Sequence, residues 1–482
     1  MDDPFEIELK LEYDPADVDA LLAAEPLAAA SSLTQRLVST YYDTADGVLA
    51  EHGFTLRVRE VGGRFVQTIK ADGAPAAGLF ARPEWEMEVA DATPLLDPAQ
   101  SPIAPLVADK PLVPLFASDI ARTVWTIEAS DARIEVALDR GEVRAGKRRD
   151  PVHDLELELK DGSAIALFDL ARRLDAAAPL RLGILSKSER GQRLSAGKPK
   201  RAVKAEPIIL GADADGREAF ATIARACLRQ FRLNETLVIA HGNAAAVHQA
   251  RVGLRRLRSA FSLFAPMLAG DLTAARLAGD LRWLAGALGE VRDLDVLIAA
   301  HGESASPQLV GARDAGMTRV RAALADPRSR RLMLDLAQWL AVGDWRVRAS
   351  DIAAMPVRQL AADLLDRTRK RLKRRGHDLA ELDDEHRHRA RIAAKKLRYA
   401  SEFFACLWST GKGKRRHAAF AEVLETLQDQ LGALNDLATA PHLIARLGLD
   451  PAAVTPPHDR ADLLARAAEA HERLMDMKRF WR

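Results

Sequence analysis

Cysteine is nearly absent, with only Cys227 and Cys406 in 482 residues. Neither lies in a CxxC pair or at zinc-finger spacing, so a disulfide framework and a structural zinc are excluded, and both read as small core side chains. No run reaches the roughly 18 apolar residues that a membrane span requires. The opening has no basic leader followed by an apolar stretch, and the expectation is a cytoplasmic protein with no membrane partner. A Walker-type glycine loop and a Ser/His/Asp constellation are also missing, so phosphate or acyl chemistry would have to come from other groups.

Charge is plentiful: 29% of residues are charged and 48% hydrophobic, the balance of a globular chain whose length calls for two domains or more. The net charge of +2 hides a division. Residues 1–216 hold 26 Lys and Arg against 37 Asp and Glu, a net of −11, and residues 217–482 hold 44 against 31, a net of +13. A basic second half implies a polyanionic partner.

Period-2 alternation fills the first 195 residues in EIELKLEY, FTLRVREV, RFVQTIK, RPEWEMEV, TVWTIEA, ARIEVALDRGEV and DLELELKDG. Separated by Gly, Pro and Asp turns, these runs predict an antiparallel sheet able to close on itself, with helices near 15–24 and 163–175. SAGKPKRAVKAEPIILGADADG reads as a linker, and the expected domains are 1–197, a linker at 198–216, and 217–482. Beyond the linker, apolar spacings of 3 and 4 predict a helical bundle. The fold class is therefore α+β and multidomain. HQARVGLRRLRSAFSLF at 248–264 repeats as HRARIAAKKLRYASEFF at 388–404, and LGEVRDLD at 288–295 as LGALNDLA at 431–438, which predicts two similar halves at about 217–345 and 356–480 about a pseudo-twofold.

Side chains alternate across a strand, so Glu6, Glu8 and Lys10 share one face while Ile7, Leu9 and Leu11 share the other. The pattern recurs in Arg57 and Arg59, in Glu84, Glu86 and Glu88, in Arg133, Glu135 and Asp139, and in Glu156, Glu158 and Lys160. If the apolar faces turn outward onto helices, the charged faces line a bore, and charges crowded there must be paired or await a ligand. Carboxylates on several strands can hold a hard divalent cation, and Arg and Lys can clamp phosphate oxygens. Hydrolysis in such a site would rest on metal-activated water and charge neutralisation.

Residues 6–190 resemble the CYTH domain of the triphosphate tunnel metalloenzymes, in family order: Glu6, Glu8 and Lys10 as ExExK, Arg57 and Arg59 in LRVR, Lys70 in TIK, Arg82, Glu84 and Glu86 in RPEWE, Asp139 in LDRG, Glu156 and Glu158 in ELELK, and Lys187 and Arg190 in LSKSERG. The resemblance implies an eight-stranded antiparallel tunnel that cleaves a phosphoanhydride with Mg²⁺ or Mn²⁺. It implies metal ligands among Glu6, Glu8, Glu86, Glu156 and Glu158, and phosphate contacts from Arg57, Arg59, Lys70, Arg82, Lys187 and Arg190, with Arg122 as an addition. Lys10 is left between orienting a phosphate and orienting the attacking water, and Asp139 between partnering a tunnel arginine and positioning water. Inorganic triphosphatases, organic triphosphate hydrolases and class IV adenylate cyclases share this tunnel; the expected substrate is inorganic triphosphate.

In the second half, His248, Arg251, Arg255 and Arg258 form one helical stripe and His388, Arg391, Lys395 and Arg398 its repeat, each face widened by Arg256 or Lys396. This half resembles the CHAD domain, through HxxRVxxRRLR at 248–258 and HxxRIxxKKLR at 388–398. The resemblance implies binding of polyphosphate along a basic surface that RTRKRLKRRGH at 367–377 could extend; alone, that run could equally be a nucleic-acid patch, and the expectation is nucleic acid only as a nonspecific competitor. By effective-concentration reasoning, a tethered anion binder could place the protein on polyphosphate granules. A scaffold that grips phosphate without turning it over is the alternative. His386 and His388 lie two apart on a helix and make a poor metal pair.

Overall fold

In the computed structural model the described residues are 5–71, 77–97, 101–129, 131–197, 201–302, 306–348, 350–446, 448 and 459–482. The alternating runs form strands β1 Phe5–Tyr13, β2 Ser32–Thr44, β3 Phe54–Val61, β4 Arg64–Ala71, β5 Leu79–Val89, β6 Leu112–Ala129, β7 Ala132–Ala145, β8 Arg148–Asp161 and β9 Leu180–Leu182. They pair antiparallel in the order β5-β4-β3-β2-β6-β7-β8-β1, and β1 pairs β5 as well, which closes eight strands into a barrel. Strand β9 is an extra short edge on the end of β1.

Closure follows from the two faces of each strand. Leu9, Leu11, Leu155, Leu157, Ile134 and Val136 have no solvent exposure, and they belong to the parity opposite Glu8, Lys10, Glu156 and Glu135. Each buried leucine contributes about 1.5–3 kcal/mol, so the greasy parity fixes which face is turned away from the bore. Register is favoured by opposite-charge pairs such as Lys10 opposite Glu156 and Glu6 opposite Arg82. A one-residue slip would exchange the charged and apolar faces.

Gly141 makes one of the tight passages in this sheet. A Cβ there would stand 2.0 Å from Asp119 O and 2.9 Å from Ile120 Cα, both backbone atoms of β6 that cannot swing aside. We expect Gly141→Ala to cost about 3 kcal/mol, the upper end of ordinary overpacking. The check is a lowered midpoint in denaturant unfolding followed by the strand signal in circular dichroism.

Among the described residues eleven helices have nine residues or more: α1 Ile165–Ala177, α2 Lys187–Ser195, α3 Gly216–His241, α4 Ala244–Leu263, α5 Leu272–His301, α6 Pro307–Ala325, α7 Pro327–Val342, α8 Val357–Arg375, α9 Asp384–Phe403, α10 Gly411–Arg446 and α11 Arg460–Asp476. The chain divides into two compact units, one of Met1–Arg201 with Asp326–Val342, the other of Ala202–Ala325 with Gly343–Arg482. Helix α7 thus groups with the barrel, where Arg330 Nε meets Asp175 Oδ1 at 2.6 Å and Asp335 Oδ1 meets Arg172 Nη2 at 2.8 Å on α1.

In the second unit α3 to α6 pack as sequential neighbours, and α8 to α11 do the same. The repeated motifs fall on α4 and α5 in one set and on α9 and α10 in the other. Equivalent helices meet across the unit, α4 against α9 and α3 against α8, as a twofold relation requires. The stretch 201–214 carries no helix or strand, yet it is tied down: Asn234 on α3 exchanges two hydrogen bonds with the backbone of Val203, both 2.9 Å, and Ile208 and Leu210 are buried. Cys227 is buried and Cys406 partly so, both as free thiols.

Candidate functional site

The bore of the barrel is a cavity of about 680 Å³. Of the residues expected there, Glu6, Glu8, Lys10, Arg57, Arg59, Lys70, Arg82, Glu86, Arg122, Glu156, Glu158 and Lys187 all line it. Glu84, Glu135, Lys160, Tyr41, Thr55, Thr68, Ser186 and Ser188 join them. Asp139 is wholly buried behind the lining, and Arg190 is not among the lining residues.

The floor is a packed ion cluster. Lys187 Nζ lies 2.6 Å from both Asp139 Oδ2 and Glu156 Oε1. Arg122 grips Asp139 through two bonds of 2.7 Å and also contacts Glu156. Lys10 bonds Glu156 and lies 3.2 Å from Glu8 Oε1. Burial works hardest against the charge of Glu156, but Lys10, Lys187 and Arg122 outweigh it and hold the carboxyl well below its usual range. Asp139 is likewise held low by Lys187 and Arg122 against its burial. Burial also opposes the charge of Lys10, and Glu156, Glu8 and Asp154 keep it protonated beyond the ordinary lysine value. Paired in this way, the charges can persist in a low-dielectric interior.

The β3–β5 wall is less compensated. Lys70 bridges Glu6 and Glu84 at 2.7 and 2.8 Å, and Arg57 stands 3.7 and 3.9 Å from Glu84 and Glu86. Arg57 Nε and Arg82 Nε are buried without a hydrogen bond. Arg59 reaches Ser39 Oγ at 3.3 Å and has no carboxylate partner among the described residues. Burial, then Arg57 and Arg122, push its guanidinium down to about 10. Buried cationic donors of this kind suit anionic oxygens such as those of phosphate.

The acidic side lies on β1, β7 and β8. Glu158 faces Glu8 on one neighbour and Glu135 on the other. Burial raises its pKa; Lys160 opposes that rise, while Glu6 and Glu135 add to it. Glu8 Oε1 is buried with no hydrogen bond. That oxygen keeps an ion pair with Lys10 Nζ at 3.2 Å, and the like charges of Glu8, Glu135 and Glu158 crowded beside it fit a hard divalent cation. Among the described residues no three His, Cys, Asp or Glu side chains converge tightly enough to hold an ion unaided, so its remaining oxygens would have to come from phosphate and water.

Tyr41 is one of the lining residues that motif reading missed, with Thr55, Thr68, Ser186 and Ser188. It stacks on Phe116 at 4.6 Å, and although burial resists ionisation, Arg57, Arg59 and Lys187 lower its pKa. Its YYDT run carries aromatic residues on both parities, so pattern alone does not say which ring faces in. Ser186 and Ser188 escaped for another reason: they sit at the start of α2, whose path into the barrel is a tertiary fact.

The second unit holds a cleft of about 750 Å³. Arg251, Arg255 and Arg258 of α4 line it with Arg282 of α5 and His388, Lys395 and Lys396 of α9. Carboxylates are scarce, Asp293 meeting Arg251 at 3.1 Å. Burial first, then Arg391, Arg255 and Arg251, lower Lys395 to about 6. His248 is pushed down to about 4 by burial, Arg292, Arg255 and Arg251. Lys396, whose pKa is also lowered by burial, feels Arg371, Arg375 and Arg258, which links the basic run on α8 to this cleft.

Four residues of the expected basic face are not among the lining: His248, Arg256, Arg391 and Arg398. Arg256 turns into the bundle, 3% exposed, where it donates to Gln230 Oε1 at 2.8 Å and lies over Phe403. Arg398 is tied to Glu402 at 2.7 Å, one turn along its own helix. His388 accepts a place beside Asn435 at 2.7 Å.

Comparison with known proteins agrees with this division. Residues 4–191 match the CYTH domain family and residues 222–445 the CHAD domain family. An inorganic triphosphatase of Haemophilus influenzae is 31% identical over 194 residues, 39% of this chain and 54% of that protein, so the chain matches about half the length of this curated relative. The crystal structure of the CHAD domain from the plant Ricinus communis is 30% identical, with a TM-score of 0.49, covering 57% of this chain and 97% of that one. An adenylyl cyclase candidate from Hippeastrum, described as having a dominant triphosphatase activity, is 20% identical with a TM-score of 0.30, covering 40% of this chain and 97% of that one.

Proposed function

Because the chain carries a CYTH domain followed by a CHAD domain, we propose that its first unit hydrolyses inorganic triphosphate inside the barrel and that its second binds polyphosphate in the basic cleft. The observation that supports this most is the pairing, in one closed bore, of an under-compensated arginine wall with a crowded carboxylate wall. The first suits phosphate oxygens and the second a divalent cation.

In this reading Arg57, Arg59, Arg82 and Lys70 hold the non-bridging oxygens of the bound chain, Arg59 without giving up any carboxylate partner. Lys187 and Arg122, fixed by Asp139 and Glu156, present charge at the floor where negative charge builds during cleavage. Asp139 acts by holding those two cations. Glu8, Glu158 and Glu6 would hold Mg²⁺ or Mn²⁺, with Glu86 and Glu156 at the margin. When bound there, the cation supplies charge neutralisation and a more acidic water. Water adds across a terminal P–O–P bond, giving orthophosphate and pyrophosphate and releasing a proton to solvent.

The deciding experiment supplies tripolyphosphate, ATP and thiamine triphosphate side by side to the full chain with Mg²⁺ or Mn²⁺ and identifies the products. Orthophosphate and pyrophosphate from tripolyphosphate at the highest kcat/KM is the expected result. Cyclic AMP from ATP would replace this reading with a cyclase, and faster thiamine triphosphate cleavage would replace the inorganic substrate.

For the cleft, the sign of the pH effect follows from Lys395. Its pKa of about 6 in the free protein is below the ordinary 10.5, so at pH 8 the amine is largely neutral, and a bound polyanion must recruit a proton to it. Polyphosphate affinity should therefore rise as pH falls from 8 to 6, by up to about tenfold. Lys395→Met should flatten that rise, read by titration at fixed ionic strength because any basic surface gathers polyanions at low salt. A tethered polyanion binder would also raise the local concentration of substrate and draw the cytoplasmic protein to polyphosphate granules.

A further inference from the structure

Among the cations that the motifs assign to phosphate, Arg190 alone lies off the cavity lining. Its guanidinium is spent on other groups: Nη2 meets Glu12 Oε1 on β1 at 2.8 Å and Asp154 Oδ1 on β8 at 3.3 Å, and Nη1 meets Asp150 Oδ2 at 3.4 Å. Burial opposes the charge, and these three carboxylates overcome it. Arg190 stands one turn after Lys187 on the same helix, and residues three apart share a helix face. The same helix starts at a capping box of Ser186 and Glu189 and is pressed onto the barrel at Gly191, where a Cβ would lie 2.0 Å from the Phe116 ring.

Asp154 joins this anchor to the floor. It has no solvent exposure, and while Oδ1 takes Arg190, Oδ2 makes no hydrogen bond and lies 3.8 Å from Lys187 Nζ and 3.9 Å from Lys10 Nζ. One carboxylate therefore stands behind both floor lysines and is itself oriented by an arginine that never reaches the cavity.

We propose that Arg190 and Asp154 are positioning residues for the triphosphate reaction: Arg190 fastens α2 to β1 and β8, and Asp154 sets Lys10 and Lys187 at the floor. The role in turnover rests on the triphosphatase reading above; the fastening does not. A displacement of Lys187 by an ångström removes charge from where it forms in the transition state, so the cost falls on kcat. A direct phosphate ligand would instead show itself mainly in substrate affinity.

The experiment compares Arg190→Gln, Arg190→Lys and Asp154→Asn in the full chain by two readouts. In tripolyphosphate hydrolysis Arg190→Gln should lower kcat by about 10- to 100-fold with KM within about threefold, Arg190→Lys should recover most of it, and in a Lys187→Ala background Arg190→Gln should add less than about threefold. In hydrogen exchange the amides of 187–195 should open at least about tenfold faster while β1 and β8 keep their protection. A tenfold rise in KM at constant kcat, or an undiminished cost in the Lys187→Ala background, would make Arg190 an independent phosphate contact and overturn the proposal. Unchanged exchange in α2 would overturn the fastening whatever the kinetics. If the wild-type chain leaves tripolyphosphate intact, the functional reading and the positioning role fall together, while the exchange data still decide the anchor. Should Arg190→Gln lose protection throughout the barrel, Asp154→Asn, which keeps shape and removes one charge, is judged by the same criteria.

Discussion

Replacing Glu8 by Gln is expected to lower metal-dependent turnover of tripolyphosphate by about a thousandfold, with the barrel still folded. The side chain keeps its size, so the change is one of charge and of one oxygen. Glu8 Oε1 is buried without a hydrogen bond, 3.2 Å from Lys10 Nζ, and Glu158 stands opposite Glu8 in register. An amide there offers one oxygen and an NH2 group with two N–H donors, and that group turns a positive edge toward the place a cation would take. Loss of a cation that neutralises phosphate and acidifies water removes several kcal/mol of transition-state stabilisation, from which the thousandfold figure comes. The check has two parts: steady-state hydrolysis across a range of Mn²⁺ and Mg²⁺ concentrations, and direct Mn²⁺ binding to the variant. Wild-type turnover with wild-type metal dependence would remove Glu8 from the metal assignment.

The second large effect concerns Arg59, where function and stability should move in opposite directions. Arg59→Met keeps most of the apolar stem and deletes a guanidinium that has no carboxylate partner among the described residues and is pushed down to about 10 by burial and by Arg57 and Arg122. Relief of that repulsion should raise stability by about 2 kcal/mol, discounted from the shift because water and rearrangement screen part of it. Affinity for tripolyphosphate should fall by about 30- to 100-fold, the loss of a charge-assisted, two-pronged contact. Thermal unfolding in the absence of phosphate and isothermal titration with tripolyphosphate read the two halves separately. A variant that lost stability together with affinity would mean that Arg59 is bound to structural partners and is not waiting for a ligand. Added tripolyphosphate should raise the unfolding midpoint of the wild-type chain far more than that of Arg59→Met, since a ligand stabilises in proportion to its occupancy.

Much of this was legible before any coordinates, and for definable reasons. Strict period-2 alternation sorts residues onto two faces whatever the fold, so Glu6, Glu8, Lys10, Arg57, Arg59, Glu156 and Glu158 could be grouped by parity alone. The repeat at 248–264 and 388–404 announced two related helices because identical spacing on a helix gives identical faces. Parity says which residues are neighbours on one strand, however. It does not say how far a side chain reaches once the sheet curls, nor whether an arginine meets water, carboxylate or a ring.

Those questions separated equivalent residues. Arg256 and Lys396 hold the same place in their repeats, yet Arg256 is drawn inward by Gln230 and Phe403 while Lys396 lines the cleft and donates to Ser262 at 2.7 Å. Arg258 lines the cleft and its counterpart Arg398 is held by Glu402. A sequence repeat fixes backbone phase, whereas the partners across each helix are not repeated. Burial energies then break the symmetry.

What the residues alone determined is the identity of the two charged faces and the helical pattern of the second half, because alternation and 3.6-residue spacing are local properties of the backbone. What only the tertiary structure decided is partnership: that β1 also pairs β5 to close the bore, that α7 groups with the barrel, that Tyr41 faces Arg57 and Arg59, and that Arg190 is spent on Glu12 and Asp154. Long-range pairing is chosen by the summed burial and charge matching of segments far apart in the chain, and no local period carries that sum.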